Sequence, residues 1–156
     1  MSLRRRAVRE KVLQALYAYE LSREPIDTII DTIVADLRKQ PEAFSFARQL
    51  ILKVLESSKE LDDLIRKRVE HWEFDRLAVI DRIVLRMGIC ELLYFDDIPP
   101  KVSINEAIEI ARAYSTEKSD KFVNGVLDSI LDDLKKNGRL RKTGRGLLDT
   151  GSDHPA

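Results

Sequence analysis

Apolar residues recur every three to four positions along most of this 156-residue chain, and that spacing constrains the fold more than any other feature. The pattern is clearest where six apolar residues follow one another at helical intervals: Ile26, Ile29, Ile30, Ile33, Val34 and Leu37. Isoleucine-rich segments also form strands, but a half-buried strand alternates apolar and polar residues, and this segment does not. The periodicity therefore predicts amphipathic helices.

Turn and capping residues divide this pattern into about seven helices. Their predicted starts are Arg4, Ile26, Pro41, Ser57, Asp75, Ser103 and Ser119. Residues 57–60 and 103–106 each have the sequence of a capping box, in which a serine and a glutamate close the first turn of a helix. The fifth helix is apolar on more than one face, as expected for the buried centre of a bundle. We therefore expect an all-α fold, with Cys90 as a small core residue.

Composition favours one charged, helical domain. Apolar residues make up 44% of the chain and charged residues 35%. Residues 137–156 contain glycines and basic residues without apolar periodicity, so we expect a helical domain over residues 1–136 and a disordered basic tail over residues 137–156. No apolar run approaches the length that spans a bilayer, which favours a cytoplasmic protein.

The sequence offers little catalytic or metal-binding chemistry. It has one cysteine and two histidines, His71 and His154, without the paired spacing that a zinc site requires. No glycine-rich phosphate loop follows a strand. The many carboxylates lie on amphipathic helices, where such groups are usually solvated. We therefore expect no metal, no cofactor and no enzymatic activity.

A cluster of cations at the start of the chain is the first candidate binding feature. Its members are Arg4, Arg5, Arg6, Arg9 and Lys11. The net charge is zero, so any attraction to nucleic acid must come from local clusters such as this one. A solvated helix end is one interpretation. Cations at a helix N-terminus oppose its macrodipole, however, and the planar fork of arginine suits phosphate, so RNA binding is the other.

A second candidate feature lies within the last predicted helix. Gly125 interrupts a strong apolar pattern, where glycine costs about 1 kcal/mol relative to alanine, and this suggests the close approach of another backbone or a ligand. Phe122 is expected to pack partly against the bundle, and an exposed part of its ring can stack a base. Asn105 and Asn124 either read base edges or cap backbone groups.

Two residues, Tyr17 and Asp81, raise the question of a protein partner. Tyr17 is either an aromatic at the edge of the core or a partner contact. Asp81 is expected on a less apolar strip of its helix, either solvated or forming with Tyr17 a patch for a basic partner. Trp72 is expected in the core.

Several short segments, each weak as a motif alone, together form a pattern that is specific to one protein family when they occur in this order along the chain. They are residues 4–7 and 14–17, Trp72 with residues 76–77, residues 81–86 with 91–92, residues 98–99 with 105–108, and residues 121–128. Together they extend roughly from Arg4 to Leu134, and in this order the chain resembles the NusB family of bacterial transcription antitermination factors.

This resemblance implies an all-helical fold of two packed helical halves and no catalysis. It implies a heterodimer with NusE, a protein that is also part of the small ribosomal subunit. The pair would bind the single-stranded boxA element of ribosomal RNA leader transcripts and, with other Nus factors, make RNA polymerase resist premature termination. Whether the free protein is a monomer or a homodimer stays open.

The resemblance also implies roles for individual residues. Phosphates would be held by Arg4, Arg5, Arg6 and Arg9. The RNA surface near the last helix would include Lys121, Phe122 and Asn124, while Tyr17 and Asp81 would face NusE. Lys118 replaces an acidic residue of some relatives, so it would add one favourable phosphate interaction.

Two other functions remain open at this point. Some RNA methyltransferases carry a NusB-like domain as an RNA-binding appendage, but no βαβ pattern or glycine-rich cofactor loop follows here. A helical module that binds only protein is the other alternative.

Overall fold

The structure, a computed structural model, describes residues 4–148, apart from the side chains of residues 71 and 72. Over these residues it is all-helical, as the periodicity predicts. The chain forms two compact units that divide between Glu56 and Ser57. The predicted core position of Trp72 falls on a side chain outside this description.

The first unit contains three α-helices and one 3₁₀ helix. Their bounds are α1 Arg5–Ser22, α2 Ile26–Ile33, the 3₁₀ helix Ala35–Lys39 and α3 Pro41–Glu56. Helix α1 packs against α2 and α3. The α-helix predicted to run from Ile26 to Leu37 ends early, because the chain tightens after Ile33 into the 3₁₀ turn that buries Leu37.

Between residues 57 and 148, the second unit contains five α-helices and a second 3₁₀ helix. Their bounds are α4 Ser58–Arg66, α5 His71–Arg76, α6 Val79–Tyr94, α7 Pro100–Tyr114, α8 Ser119–Lys136 and the 3₁₀ helix Gly144–Leu147. Helices α6, α7 and α8 pack against one another, and α4 packs against α6 and α8. Helix α6 is central, as its apolar faces predict, and Cys90 is fully buried within it.

Both predicted capping boxes are wrong. Ser57 precedes α4 but makes no side-chain capping bond. Helix α7 begins three residues before Ser103, at Pro100, because proline fits a first helical position without losing a needed N–H. A capping box does form at α5, where the Glu70 N–H donates to the Glu73 carboxylate at 2.8 Å.

The start of the C-terminal tail is folded, contrary to the expected disorder. The buried Lys142 ammonium donates to the carbonyl oxygens of Glu91 and Phe95, at 3.0 and 2.8 Å. The Thr143 N–H donates to the Asp96 carbonyl at 3.0 Å. Residues 137–148 therefore belong to the second unit and cover the C-terminal end of α6. The rest of the predicted tail lies outside the described residues.

Candidate nucleic-acid interface

The N-terminal arginines lie at the start of α1, and the first turn of this helix contains no acidic residue. Arg4 precedes the helix in an extended conformation. Arg4, Arg5 and Arg6 are exposed. The Arg5 guanidinium lies 4.1 Å from the centre of the Phe46 ring on α3, a cation–π contact that restricts its motion. This end of α1 thus presents exposed cations, one of them held in a defined position.

Arg9 differs from its neighbours and from the expectation for it. It is only 3% exposed, and its guanidinium lies 5.3 Å from the same Phe46 ring. This burial does not fit the phosphate contact that the resemblance implies for Arg9, because this position of α1 faces the packed interior of the first unit. We assign Arg9 to the packing of that unit.

Helix α8 has a buried apolar face and an exposed polar face. Val123, Val126 and Leu127 are buried, whereas Lys121 and Asn124 are exposed. Residues three and four apart lie on the same side of a helix, so Lys118, just before α8, lies on the side of Lys121. The sequence prediction of a polar surface on this helix is consistent with this arrangement.

Gly125 and Phe122 complete the α8 surface. Gly125 is exposed, and a Cβ built on it would meet no atom within 4 Å among the described residues. Packing within the chain therefore does not require glycine at this position. Phe122 is half-buried, as expected for a ring that packs on one side. Asn105 is exposed and lies inside α7, five residues after its first residue Pro100, so its side chain does not cap the start of that helix.

Charged groups near the first turn of α8 are held by local contacts. The Lys121 N–H donates to the Asp120 carboxylate at 2.9 Å, and this bond, followed by the Arg112 guanidinium, holds the pKa of Asp120 below its usual value. Farther along the helix, burial and then the charge of Asp132 raise the pKa of Asp128. The cations Lys118 and Lys121 therefore lie on either side of an acidic residue, Asp120, at the start of α8.

The two candidate partner residues have different surroundings. Tyr17 is 38% exposed on α1, and Leu21, one turn later, is 64% exposed. Tyr17 is thus available to a partner. Asp81 was expected on a solvated strip but is only 7% exposed, because the first turn of α6 packs against the start of α8. Tyr17 belongs to the first unit and Asp81 to the second.

The buried contact of Asp81 is with Ser119, a residue that the sequence reasoning did not single out. The Ser119 hydroxyl donates to Asp81 Oδ2 at 3.0 Å. The other carboxylate oxygen, Oδ1, is buried without a hydrogen-bond partner among the described residues. The available sequence signal was the position of Ser119, four and seven residues before the buried Val123 and Val126.

Two further features concern metal ions and membranes. Within residues 4–148, no cluster of three or more histidine, cysteine or carboxylate side chains is arranged to hold a metal ion. Over the same range, no helix combines the length and apolar character needed to cross a membrane.

Comparisons with known proteins agree with the fold and the sequence pattern. A sequence model of the NusB family matches residues 6–132. The chain is 46% identical over 150 residues to the transcription antitermination protein NusB of Chloroherpeton thalassium, covering 96% of this chain and 71% of that protein. It is 47% identical over 145 residues to the NusB of Salinibacter ruber, covering 92% and 91%.

Solved structures give the same result. The T. maritima NusB structure has a TM-score of 0.78 and 44% identity, covering 83% of this chain and 92% of that one. A structure of antitermination factors NusB and NusE in complex with double-stranded RNA has a TM-score of 0.75 and 28% identity, covering 83% and 96%. Given the match across most of its length and the shared all-helical fold, the chain belongs to the NusB family.

Proposed function

We propose that this chain is a transcription antitermination factor that binds single-stranded boxA RNA of ribosomal RNA leader transcripts as a heterodimer with NusE. With other Nus factors, the pair helps RNA polymerase resist premature termination. No catalytic step is part of this function. The observation that carries the proposal is the exposed face of α8, where Lys121, Asn124 and Gly125 lie beside the half-buried Phe122.

The two groups of exposed residues have complementary chemistry. Arg4, Arg5 and Arg6 supply charge that attracts any phosphate backbone. The α8 surface supplies an aromatic ring and an amide, which contact bases rather than phosphates, and single-stranded RNA exposes its bases to such contacts. Charge therefore provides affinity, and α8 provides sequence preference.

The solved relative that contains NusE supports the choice of partner, and Tyr17 is the exposed residue that we assign to it. That relative was solved with double-stranded RNA, so the strandedness of the RNA must be tested directly.

The test is fluorescence anisotropy with a labelled boxA-like single strand, a scrambled strand and a duplex of the same sequence, each with and without NusE. We expect tight binding of the boxA-like strand that strengthens with NusE, and weaker binding of the other two. Equal binding of the boxA-like and scrambled strands in the presence of NusE would show that the pair has no sequence preference. Failure to bind any RNA would favour a module that binds only protein.

A double variant, Arg5→Ala with Arg6→Ala, tests the charge contribution. Each phosphate contact on a single strand contributes about −0.7 to the slope of log affinity against log salt, so losing two contacts should flatten the slope by about 1.4. The matched control is Lys59→Ala with Lys67→Ala, which removes two exposed cations from α4 and its C-terminal end. Equal slopes for the two double variants would exclude the N-terminal arginines from the RNA site.

A further inference from the structure

The first turn of α8, which carries the RNA surface proposed above, begins without the usual side-chain cap. The residue at the capping position is Lys118, and its side chain makes no capping bond. Serine, threonine, aspartate and asparagine are the usual caps because their oxygens accept hydrogen bonds from the free N–H groups of the first turn. Lysine has no such acceptor, so another contact must fix the start of this helix.

Ser119, the first residue of α8, supplies that contact. Its hydroxyl oxygen accepts a hydrogen bond from the Thr116 N–H at 3.2 Å and lies 2.9 Å from the Thr116 hydroxyl. The same hydroxyl donates to Asp81 Oδ2. One side chain therefore joins the loop before α8, the start of α8 and the first turn of α6.

Burial makes the Asp81–Ser119 bond strong. Ser119 is 2% exposed, so water does not compete for the bond, and a hydrogen bond to an ionised carboxylate is about twice as strong as one between neutral groups. Because Asp81 Oδ1 has no hydrogen-bond partner among the described residues, losing the Ser119 hydroxyl would leave this carboxylate still less satisfied.

A second contact that holds the first turn of α8 is weaker than the Asp81–Ser119 bond. The Arg112 guanidinium on α7 lies 3.2 Å from Asp120 Oδ2, but solvent screens this pair because both side chains are partly exposed. Later residues of α8 are held by the core: a Cβ on Gly88 of α6 would lie 3.0 Å from Leu127 Cδ1, so the two helices approach closely there. The first turn lies before that contact, and its one buried side-chain bond to another helix among the described residues is that of Ser119.

We propose that the Asp81–Ser119 hydrogen bond positions the first turn of α8 for RNA, which makes Asp81 a positioning residue of the RNA surface. Lys118 and Lys121 lie within two residues of Ser119, and Phe122 lies within three, so a shift of this turn moves all three. This inference rests on the proposed RNA-binding function. It gives Asp81 a role that its burial permits, whereas direct contact with a partner would require exposure.

The test compares Ser119→Ala with a matched control, Ser103→Ala. Ser103 is also buried, and its hydroxyl donates to the buried Glu91 carboxylate at 2.7 Å. Both variants remove a serine donor to a buried carboxylate of α6, but only Ser119 lies at the start of α8. We expect Ser119→Ala to weaken binding of the boxA-like strand about tenfold, and Ser103→Ala by no more than about twofold.

Asp81→Asn keeps the shape of the side chain and one acceptor oxygen. This variant provides a second test of the same bond if Ser119→Ala folds poorly. We expect about threefold weaker RNA binding, since a neutral acceptor holds the Ser119 hydroxyl less tightly. Amide hydrogen exchange without RNA should also accelerate in residues 116–122, relative to the rest of α8 and to Ser103→Ala.

The outcomes separate the two proposals. A wild-type protein that binds no RNA, with or without NusE, overturns the proposed function and this inference together. If the wild-type protein binds RNA but Ser119→Ala and Ser103→Ala lose affinity equally, this inference is overturned and the proposed function stands. Unchanged affinity and unchanged exchange in Asp81→Asn would do the same.

Discussion

The Lys142 ammonium lies 2.8 Å from the carbonyl oxygen of Phe95, the residue that follows α6. It also donates to the Glu91 carbonyl, so one tail residue contacts two carbonyl oxygens at the C-terminal end of that helix. The tail thus caps a helix that precedes it by more than forty residues.

Replacing this ammonium should destabilise the second unit. Lys142→Met keeps most of the apolar stem and removes the charged donor, so we expect the free energy of unfolding to fall by about 1.5–3 kcal/mol. Urea denaturation measures the change. The control is Arg141→Met at the exposed neighbouring position. Equal effects of the two variants would show that the Lys142 contacts do not stabilise the fold.

Replacement of Gly146 and of Gly125 by alanine should change the free energy of unfolding in opposite directions. A Cβ at Gly146 would overlap the backbone carbonyl oxygen of Asp96, so Gly146→Ala should lower the free energy of unfolding by about 1–3 kcal/mol. Gly125 has open space in mid-helix, so Gly125→Ala should raise it by up to about 1 kcal/mol. Thermal unfolding checks both values. A stabilising Gly146→Ala would contradict the close packing of the tail.

Gly125→Ala also tests the RNA surface, because the added methyl group points away from the chain's own atoms. If RNA approaches α8 closely at this point, the more stable variant should bind the boxA-like strand more weakly. Increased stability with unchanged affinity would show that the RNA does not approach Gly125.

Arg9 should behave as a packing residue. Because it is buried against Phe46, Arg9→Ala should lower the free energy of unfolding by about 1–3 kcal/mol, whereas the exposed Arg4→Ala should change it by less than about 0.5 kcal/mol. The salt dependence of RNA binding should stay at the wild-type value in Arg9→Ala. A flattened slope in that variant would instead indicate a phosphate contact.

The Tyr94 hydroxyl should ionise at a higher pH than an ordinary tyrosine. Its hydroxyl donates to the Glu60 carboxylate, and this bond, followed by burial and the charge of Glu60, raises the pKa of Tyr94. The native phenol therefore holds its proton more tightly than the unfolded one. Its stabilising contribution is complete below the unfolded pKa of about 10 and disappears as the pH rises through the native value.

Ultraviolet difference absorbance can follow the titration of the four tyrosines. Tyr94→Phe should remove one component, which ionises above the ordinary tyrosine pKa. Glu60→Gln should move that component to lower pH while leaving the number of tyrosines unchanged. If the component lost in Tyr94→Phe ionises at the ordinary value, the assignment is refuted.

The helices were predictable because an apolar residue every three or four positions defines a buried face, and this pattern does not depend on the conformation of the loops. Their exact starts were not, because capping sequences are common and only tertiary packing selects among them. Ser103 has the sequence of a cap, yet Pro100 starts the helix and Ser103 bonds to Glu91 in the interior.

Polar residues in the interior were misjudged for a different reason. Arg9 was assigned to RNA phosphates, and Asp81 to a less apolar strip that is either solvated or faces a partner, although each has the spacing of a core position. Arg9 precedes the buried Val12 by three residues, and Asp81 precedes the buried Val84 by three. Position along the helix predicted their burial better than charge did.

The folded tail could not be inferred from periodicity, since it has little helix. Its order comes from single contacts: Lys142 on carbonyls, Gly146 against Asp96, and the Arg139 guanidinium 2.6 Å from the Glu60 carboxylate. Such contacts depend on where distant segments meet, and local sequence does not contain that information.

The contact between Lys142 and Glu91 also has a consequence for folding during synthesis. It joins positions 51 residues apart, and Lys142 leaves the ribosome after α6, α7 and α8. Until then the Glu91 and Phe95 carbonyl oxygens accept hydrogen bonds from the backbone N–H groups of Phe95 and Ile98, and Glu91 has no lysine ammonium beside it. The second unit can therefore reach its final stability only after the tail has emerged, whereas the first unit, with local contacts ending at Glu56, is free to fold much earlier.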